Sequence, residues 1–322
     1  MSALKYLKKV PAGMFIIPLL CAAILNTILV FAGADGGVRS LQPTLSTAAF
    51  LIVIFTAGLQ INLRSAPKLL ARSAVLLIVK FAAGVIIGFG ISGAFGMEGV
   101  LGVSALACIA GVTNSNGGMY LNLVADYGNA DDAMTYALLA FNDGPYLTMI
   151  AMSVGGLAAI PFKSIAISFA PMFIGLVIGN IFPKVAKPAR IVMGIALIFY
   201  ALVLGLGINL TSVLLAGFGG ILLGVVAVLG SGIPLVAADR FINRRPGYGG
   251  AAIASVAGNA VATPAIIAGL DPAWAPYVEN AVAAVSAAVV VSAILTPLFT
   301  HYVAKKFGCP KFDRENAKEE TA

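Results

Sequence analysis

Long apolar stretches run through this chain from end to end, and short polar segments separate each stretch from the next. A helix needs about 20 apolar residues to cross the ~30 Å hydrocarbon core of a membrane, and ten such stretches are present. They cover residues 12–32, 43–63, 73–95, 99–127, 133–156, 164–183, 189–208, 212–232, 248–269 and 277–303. The short connections leave no room for a separate soluble domain. The pattern therefore predicts an all-α polytopic membrane protein with ten transmembrane helices.

Two segments of the chain are copies of one another. Ala49–Ser65 and Ala196–Ser212 share a Gly-Leu-X-Ile-Asn-Leu core, and Ala105–Gly111 aligns with Ala252–Gly258 at the same offset of 147 residues. This offset pairs the second stretch with the seventh and the fourth with the ninth, which implies two halves of five helices. Because five is odd, equivalent helices run in opposite directions, as in the inverted repeats of transporters.

The repeat also fixes the predicted division of the chain. The first and sixth stretches align more loosely and at a different offset, with Pro18 opposite Pro171. We predict a first half at 1–160, a second half at 161–309 and a polar cytoplasmic tail at 310–322, which we expect to be disordered.

Charge and composition agree with membrane residence. The chain is 60% hydrophobic and 10% charged, its mean hydropathy is +1.00, and its net charge is +7. With ten helices, seventeen lysines and arginines fall on one side and only Arg39 and Lys163 fall on the other. This bias is the positive-inside rule, so both termini are predicted to be cytoplasmic. The basic residues set topology, and no nucleic-acid partner is expected.

The fourth and ninth stretches are interrupted by polar and glycine residues, over Gly111–Gly118 and Gly258–Pro264. Such residues compete for backbone hydrogen bonds, and non-helical backbone at membrane depth is tolerated beside protein or a water-filled cavity. Thr263-Pro264 predicts an N-cap and the start of a new half-helix, and another is expected near Ser115. Paired interruptions are the best sequence indication of a transporter's binding site.

The interruptions supply the neutral candidate ligands for a hydroxylated substrate. Half-helix N-termini there also favour an anionic ligand. The alternative is that these side chains only join helices or satisfy each other. The predicted substrate-binding residues in the interruptions are Thr113, Asn114, Ser115, Asn116, Asn259 and Thr263.

Charged residues at membrane depth are the candidates for coupling. Asn142-Asp143 lies near the middle of the fifth stretch and is followed by the kink-forming Pro145, while Lys80 lies in the third stretch. We predict Asp143 as the proton carrier, Lys80 as a ligand for a substrate carboxylate or a counter-charge, and Asn142 as substrate-binding. A static pair of Asp143 and Lys80 is the alternative.

Other polar signals are weaker. Asp126, Asp131, Asp132 and Glu279 lie near helix ends, where a solvated or capping role is expected, and Asp239 is expected in a cytoplasmic loop. Gly84 and Gly88 form a GxxxG pattern, which gives weak support to a dimer. Whether the protein is a monomer or a homodimer stays open.

Several function classes lack their motifs. Three isolated cysteines and a single histidine offer no metal-ligand spacing or disulfide framework, and no phosphate-binding GxxxxGK[ST] motif is present. An intramembrane enzyme would need a nucleophile–base set or a metal motif such as HExxH. No cofactor is predicted beyond a coupling ion, a proton in our interpretation, with sodium left open. A non-transporting receptor would leave the paired interruptions unexplained.

The interrupted, inverted organisation resembles the fold of bacterial bile-acid:sodium symporters and sodium/proton antiporters. Sequence detail is closer to the 2-keto-3-deoxygluconate permease family of Gram-negative bacteria, over essentially the full chain. The resemblance rests on Gly58–Leu70 (GLQINLRSAPKLL), Ala110–Leu123 (AGVTNSNGGMYLNL), Phe141–Met149 (FNDGPYLTM) and Ala257–Ala265 (AGNAVATPA).

The resemblance implies discontinuous crossing helices four and nine, a core of helices three to five and eight to ten, and a panel of the other four. It implies a sugar-acid substrate taken up with protons across the inner membrane. In the antiporters two adjacent core aspartates carry the ion, whereas this chain has Asn142-Asp143, a single carboxylate. The leading hypothesis is import of 2-keto-3-deoxygluconate by proton symport through alternating access. The alternative is a sodium-coupled symporter of another organic anion.

Overall fold

The computed structural model describes residues 13–34, 36–60, 67–139, 142, 145–160, 162–207, 209–211 and 217–313. Within these ranges the regular structure is helical, apart from one isolated bridge between Val100 and Val103. The first seven helices are α1 (Gly13–Phe31), α2 (Gly36–Gln60), α3 (Pro67–Phe95), α4 (Ala105–Thr113), α5 (Gly117–Tyr127), α6 (Ala130–Leu139) and α7 (Tyr146–Val154). The next seven are α8 (Phe162–Ile181), α9 (Ala186–Gly205), α10 (Gly217–Val225), α11 (Ser231–Phe241), α12 (Tyr248–Ala252), α13 (Thr263–Leu270) and α14 (Val278–Phe307).

Four helical segments are long and apolar enough to cross a membrane within the described ranges: Pro67–Phe95, Pro183–Val203, Gly217–Phe241 and Pro272–Phe307. Large apolar side chains remain exposed on several helices, including Ile86 on α3, Ile191 on α9 and Phe241 at the end of α11. Exposed apolar faces of this extent suit hydrocarbon rather than water. The protein is therefore a multi-pass membrane protein.

The helices pack in two groups. In the four-helix group, α2 packs on α8, and α9 packs on both α1 and α2. In the crossing group, α3 contacts α4, α6 and α11, while α14 contacts α4, α10 and α12. The short 3-10 turn Gly258–Val261 touches α4, α9 and α14, so it links the two groups.

Glycines allow the closest approaches in the four-helix group. A Cβ atom on Gly58 of α2 would overlap the carbonyl oxygen of Met172 on α8, and one on Gly205 of α9 would overlap that of Leu19 on α1. Backbones can come this close only where no side chain intervenes. The two crossings therefore depend on glycine in the same way.

The helix α4 forms the centre of the crossing group. All nine of its residues are buried, and Ser104 caps its start by accepting a hydrogen bond from the Ala107 N–H at 3.2 Å. Gly84 and Gly88 of α3 pack directly on Thr113 and Ile109 of this helix. The GxxxG pattern thus mediates packing within the chain, and these glycines are not available as a dimer surface.

Two helix ends differ from the expectation. The eighth apolar stretch was expected to end near residue 232, but after a π-helical segment (Val226–Gly230) the helix continues as α11 to Phe241. Asp239 is therefore buried in a helix and not placed in a loop. The start of the predicted disordered tail is helical over residues 310–313, where Phe312 packs on the rings of Tyr127 and His301; residues 314–322 lie outside the described ranges.

Candidate functional site

The first predicted interruption is a true break between α4 and α5. Asn114 (φ −94°, ψ 156°) and Asn116 (φ −79°, ψ 101°) are extended, and α5 begins at Gly117. The Asn116 Oδ1 accepts a hydrogen bond from the Met119 N–H at 2.9 Å, which caps the new helix. An asparagine at this position satisfies an N–H that has no partner within the helix. The half-helix predicted near Ser115 starts two residues later.

The second interruption is longer and starts earlier than the sequence predicts. Helix α12 ends at Ala252, and an irregular segment leads to the turn Gly258–Val261 and then to α13. Helix α14 supplies partners for the unwound backbone: Ser292 Oγ accepts from the Val256 N–H at 3.1 Å, and Thr296 Oγ1 donates to the Ala254 carbonyl at 3.2 Å. Irregular backbone is thus hydrogen-bonded by buried protein groups, as membrane depth requires.

The two breaks touch one another. The Asn116 N–H donates to Ser255 Oγ at 2.9 Å, and both residues are buried. A break in the first part of the chain and one in the second therefore meet at a single crossing point. This contact, between residues 139 positions apart, brings together the two segments that the sequence predicts to form the site.

Neutral side chains surround the first break. Thr113 Oγ1 lies 2.9 Å from Thr148 Oγ1 on α7, and Asn114 Nδ2 donates to the same Thr148 oxygen at 3.3 Å. Asn142 Nδ2 donates to Ser115 Oγ at 2.8 Å. The structure thus brings four of the predicted residues together, and adds Thr148, which sequence reasoning missed.

Three buried oxygens near the breaks have no hydrogen-bond partner among the described residues: Asn114 Oδ1, Asn142 Oδ1 and Thr263 Oγ1. Native structures leave few buried polar atoms unsatisfied, and each such atom calls for an explanation. A hydroxylated ligand or a cation bound at the breaks would supply the missing partners.

Thr263 does not have the predicted capping role. Ala262 occupies the N-cap position, no side chain caps that end, and Thr263 is the first residue of α13. The neighbouring Pro264 fits because the first turn of a helix needs no proline N–H. The position of the half-helix is therefore as predicted, while the Thr263 hydroxyl is left without the backbone partner that was expected.

Lys80 is fully buried where α3 meets the second part of the chain. Its ammonium donates to Ser231 Oγ at 2.9 Å and to the Ser255 carbonyl at 3.2 Å. The predicted proton carrier, Asp143, lies outside the described residues, so its predicted alternative role as a static partner of Lys80 stays a prediction. Asn259 falls in the turn Gly258–Val261, and its side chain lies outside the description as well.

A buried ionic cluster joins the start of α6 to the loop between α11 and α12. Arg245, in the loop between α11 and α12, forms an ion pair with Asp132 at the start of α6. Tyr248 donates to Asp132 Oδ2 at 2.7 Å and accepts from Arg245 at 2.6 Å. Desolvation lowers the pKa of Arg245, but Asp132, Tyr248 and Asp239 together raise it above its usual value, so the guanidinium stays charged. Of the two roles expected for Asp132, the solvated one is wrong, since its side chain is only 5% exposed. The capping one is confirmed, because Asp132 Oδ2 accepts from the Asn129 N–H at 2.9 Å, at the start of α6.

Comparison with known proteins matches the 2-keto-3-deoxygluconate permease family model to residues 4–309. The chain is similar to 2-keto-3-deoxygluconate permease 1 of Salmonella typhimurium, with 37% identity over 310 residues covering 95% of this chain and 96% of the relative. It is also similar to 2-keto-3-deoxygluconate permeases of Enterobacter sp. (34%, covering 96% of each chain) and Bacillus subtilis (34%, covering 93% of each).

These matches span nearly the whole chain at a level of identity that establishes common ancestry, and the family model covers the positions of all four motifs on which the resemblance rested. A permease moves its substrate across a membrane without converting it. The chain therefore belongs to the 2-keto-3-deoxygluconate permease family and is a transporter, not an enzyme.

Proposed function

We propose that this protein imports 2-keto-3-deoxygluconate by proton symport through alternating access. The observation that carries the proposal is the contact of two helix breaks at Asn116 and Ser255, beside buried oxygens that lack partners among the described residues. Discontinuous helices that meet at mid-membrane form the substrate sites of many secondary transporters. The names of the relatives supply the substrate.

The proposed architecture is a 5+5 inverted repeat of ten transmembrane helices, with halves at 1–160 and 161–309. Glycine packing supports it, because Gly58 and Gly205 are related by 147 residues and their contacts Leu19 and Met172 by 153. These are the two offsets at which the sequence halves align. In this proposal the four-helix group is the panel, and the crossing group is the core that carries substrate across.

The proposed site gives each part of the sugar acid a partner of suitable chemistry. The carboxylate binds the Lys80 ammonium and the N–H groups that begin the half-helices. The hydroxyls bind Thr113, Ser115, Asn116 and Asn259, and donate to the unpartnered oxygens of Asn114, Asn142 and Thr263. Import then runs toward a cytoplasm that holds both termini, as the positive-inside bias indicates.

Uptake experiments test substrate and coupling together. Inner-membrane vesicles that contain the protein are expected to accumulate labelled 2-keto-3-deoxygluconate when an inward proton gradient is applied. A protonophore should abolish the accumulation, because the gradient is its energy source. Absence of uptake by the purified, folded protein would refute the substrate assignment. Accumulation that survives the protonophore and requires sodium would instead favour the alternative of a sodium-coupled organic-anion symporter.

Asp143→Asn tests the coupling residue. Removing the carboxylate leaves an amide that cannot carry a proton, so proton-driven accumulation is expected to fall to the background level. Exchange of labelled for unlabelled substrate at equal concentrations should persist, because exchange needs no net proton movement. The measurement is substrate-driven proton uptake in proteoliposomes, recorded with a pH-sensitive dye. Unchanged proton uptake in the variant would show that another group couples transport.

A further inference from the structure

Lys80 is held by oxygen atoms that carry no charge. The lysine side chain is 0% exposed, and its described partners are the hydroxyl of Ser231 and the main-chain carbonyl of Ser255. Among the described residues no carboxylate forms an ion pair with it. A buried charge is costly, so neutral partners alone, within the part of the chain that the structure describes, call for a functional explanation.

Both partners lie at departures from regular α-helix: Ser231 directly after a π-helical segment and Ser255 within the second break. Ser231 directly follows the π-helical segment Val226–Gly230, and its hydroxyl donates to the Ala227 carbonyl, so its lone pairs remain to accept from Lys80. The Ser255 carbonyl is free to accept because the second break has no helical hydrogen bond at that point. π-Helical segments inside α-helices frequently mark functional sites.

The oxygen set resembles that of an alkali-cation site. Unwound backbone carbonyls and hydroxyls are the groups that coordinate sodium in transporters with broken helices. Here the cation is an ammonium group attached to α3. An ammonium offers three N–H donors, and two of them are used by Ser231 and Ser255.

We infer that Ser231 and Ser255 are positioning residues that hold the Lys80 ammonium where a sodium-coupled transporter would hold its ion, leaving the third N–H for the substrate carboxylate. The last part rests on the proposed function, which gives Lys80 the carboxylate. Ser255 also accepts from the Asn116 N–H through its hydroxyl. The Lys80 ammonium is therefore linked to both breaks by hydrogen bonds, and the site is complete without a metal ion.

The two halves of the repeat differ at the position of Lys80. At 147 residues, Lys80 corresponds to Ala227, the residue whose carbonyl accepts from Ser231. The charge thus comes from the first half, and the two oxygen atoms that hold it, Ser231 Oγ and the Ser255 carbonyl, come from the second half. A single anionic substrate faces a single tethered positive charge.

Replacement of sodium by choline tests the inference in the unmodified protein. Proteoliposomes are assayed for labelled 2-keto-3-deoxygluconate uptake at a constant proton gradient. The initial rate is expected to be the same in both salts, because Lys80 already fills the cation position. A loss of fivefold or more in choline would overturn the inference while leaving the transport of this substrate established. No uptake in either salt would refute the proposed function instead.

Ser231→Ala tests positioning directly. Loss of one hydrogen bond to a charged group is expected to raise the KM for the sugar acid roughly tenfold, with Vmax changed less than twofold. An uncharged analogue with an alcohol in place of the carboxylate does not use the ammonium. Its affinity should therefore be the same for the variant and for the unmodified protein. Ser231→Thr keeps the hydroxyl and should restore KM.

The matched control is Ser286→Ala. Ser286 is also buried in the crossing group, but its hydroxyl donates only to the Val282 carbonyl of its own helix at 2.7 Å. This variant should keep the KM of the unmodified protein. If Ser231→Ala behaves like Ser286→Ala, or weakens the uncharged analogue as much as the acid, the positioning role is wrong.

Discussion

Gly84→Leu is expected to abolish uptake. A Cβ atom at Gly84 would overlap the side chain and approach the backbone nitrogen of Thr113, and backbone cannot yield as a flexible side chain can. Overpacking of a tight contact costs about 1–3 kcal/mol or more. The displacement acts on the site itself, because Thr113 bonds Thr148 and because Lys80 lies one helical turn before Gly84. Moving α3 outward therefore withdraws the ammonium from Ser231.

The measurement is initial-rate uptake of labelled substrate in proteoliposomes, with the amount of inserted protein determined in parallel. Gly90→Leu is the matched control: it lies on the same helix, and an added Cβ there meets nothing within 4 Å. It should retain at least half of the uptake. Equal activity of the two variants would mean that the contact between α3 and Thr113 is not required.

Arg245→Met is expected to lower stability by about 3 kcal/mol. The substitution leaves the Asp132 carboxylate buried with Tyr248 as its remaining described side-chain partner, and an uncompensated buried charge is the main cost. Heating in detergent exposes Cys108 and Cys309, which are buried in the folded protein. Their reaction with a maleimide dye therefore reports unfolding, and the transition should move to lower temperature.

Three further variants, Arg244→Met, Asp132→Asn and the double variant, separate the ion pair from a general effect of losing an arginine. Arg244→Met removes the exposed arginine next to Arg245. Position 244 has a left-handed backbone (φ 55°) and carries a non-glycine side chain before and after the change, so stability should not change. Adding Asp132→Asn to Arg245→Met removes the stranded charge and should recover part of the lost stability. If the double variant is as unstable as the two single changes added together, the ion pair is not the source of the effect.

The sequence predicts the two breaks well because their cause is local. Asn, Ser and Gly in succession weaken a helix through bonds to neighbouring backbone, and Thr263-Pro264 marks where a helix can restart. The beginning of the second break was missed, because the apolar residues before Ser255 give no local signal. That break is stabilised by Ser292 and Thr296, hydroxyls supplied by a distant helix.

Residues that act through distant contacts could not be found from sequence. Ser231, Ser255 and Thr148 are isolated hydroxyl residues in apolar stretches, where the ordinary interpretation is a bond to the residue's own helix. Ser255 is 175 positions from Lys80, and Thr148 is 35 positions from Thr113. Only the tertiary fold brings these pairs together.

Patterns of small residues and of charges also do not identify the partner that a residue contacts. Gly84 and Gly88 correctly indicate a close helix approach, but the pattern does not tell whether the neighbour is another protomer or another helix of the chain. Asp132 was placed near a helix end, as the structure has it. In the structure Asp132 is buried beside Arg245, which is 113 positions away along the chain. From sequence, the charge of Arg245 is explained by membrane topology alone.

The glycine crossings of the four-helix group also determine when their helix contacts can form during biosynthesis. Gly58 of α2 packs on α8, and Leu19 of α1 packs on α9, so these partners are still unsynthesised when the first two helices leave the ribosome. Translation of the intervening residues takes about ten seconds at ordinary elongation rates. During that interval the face of α2 around Gly58 and the face of α1 around Leu19 remain exposed to lipid, and a nascent chain that stops before Phe162 cannot cover them.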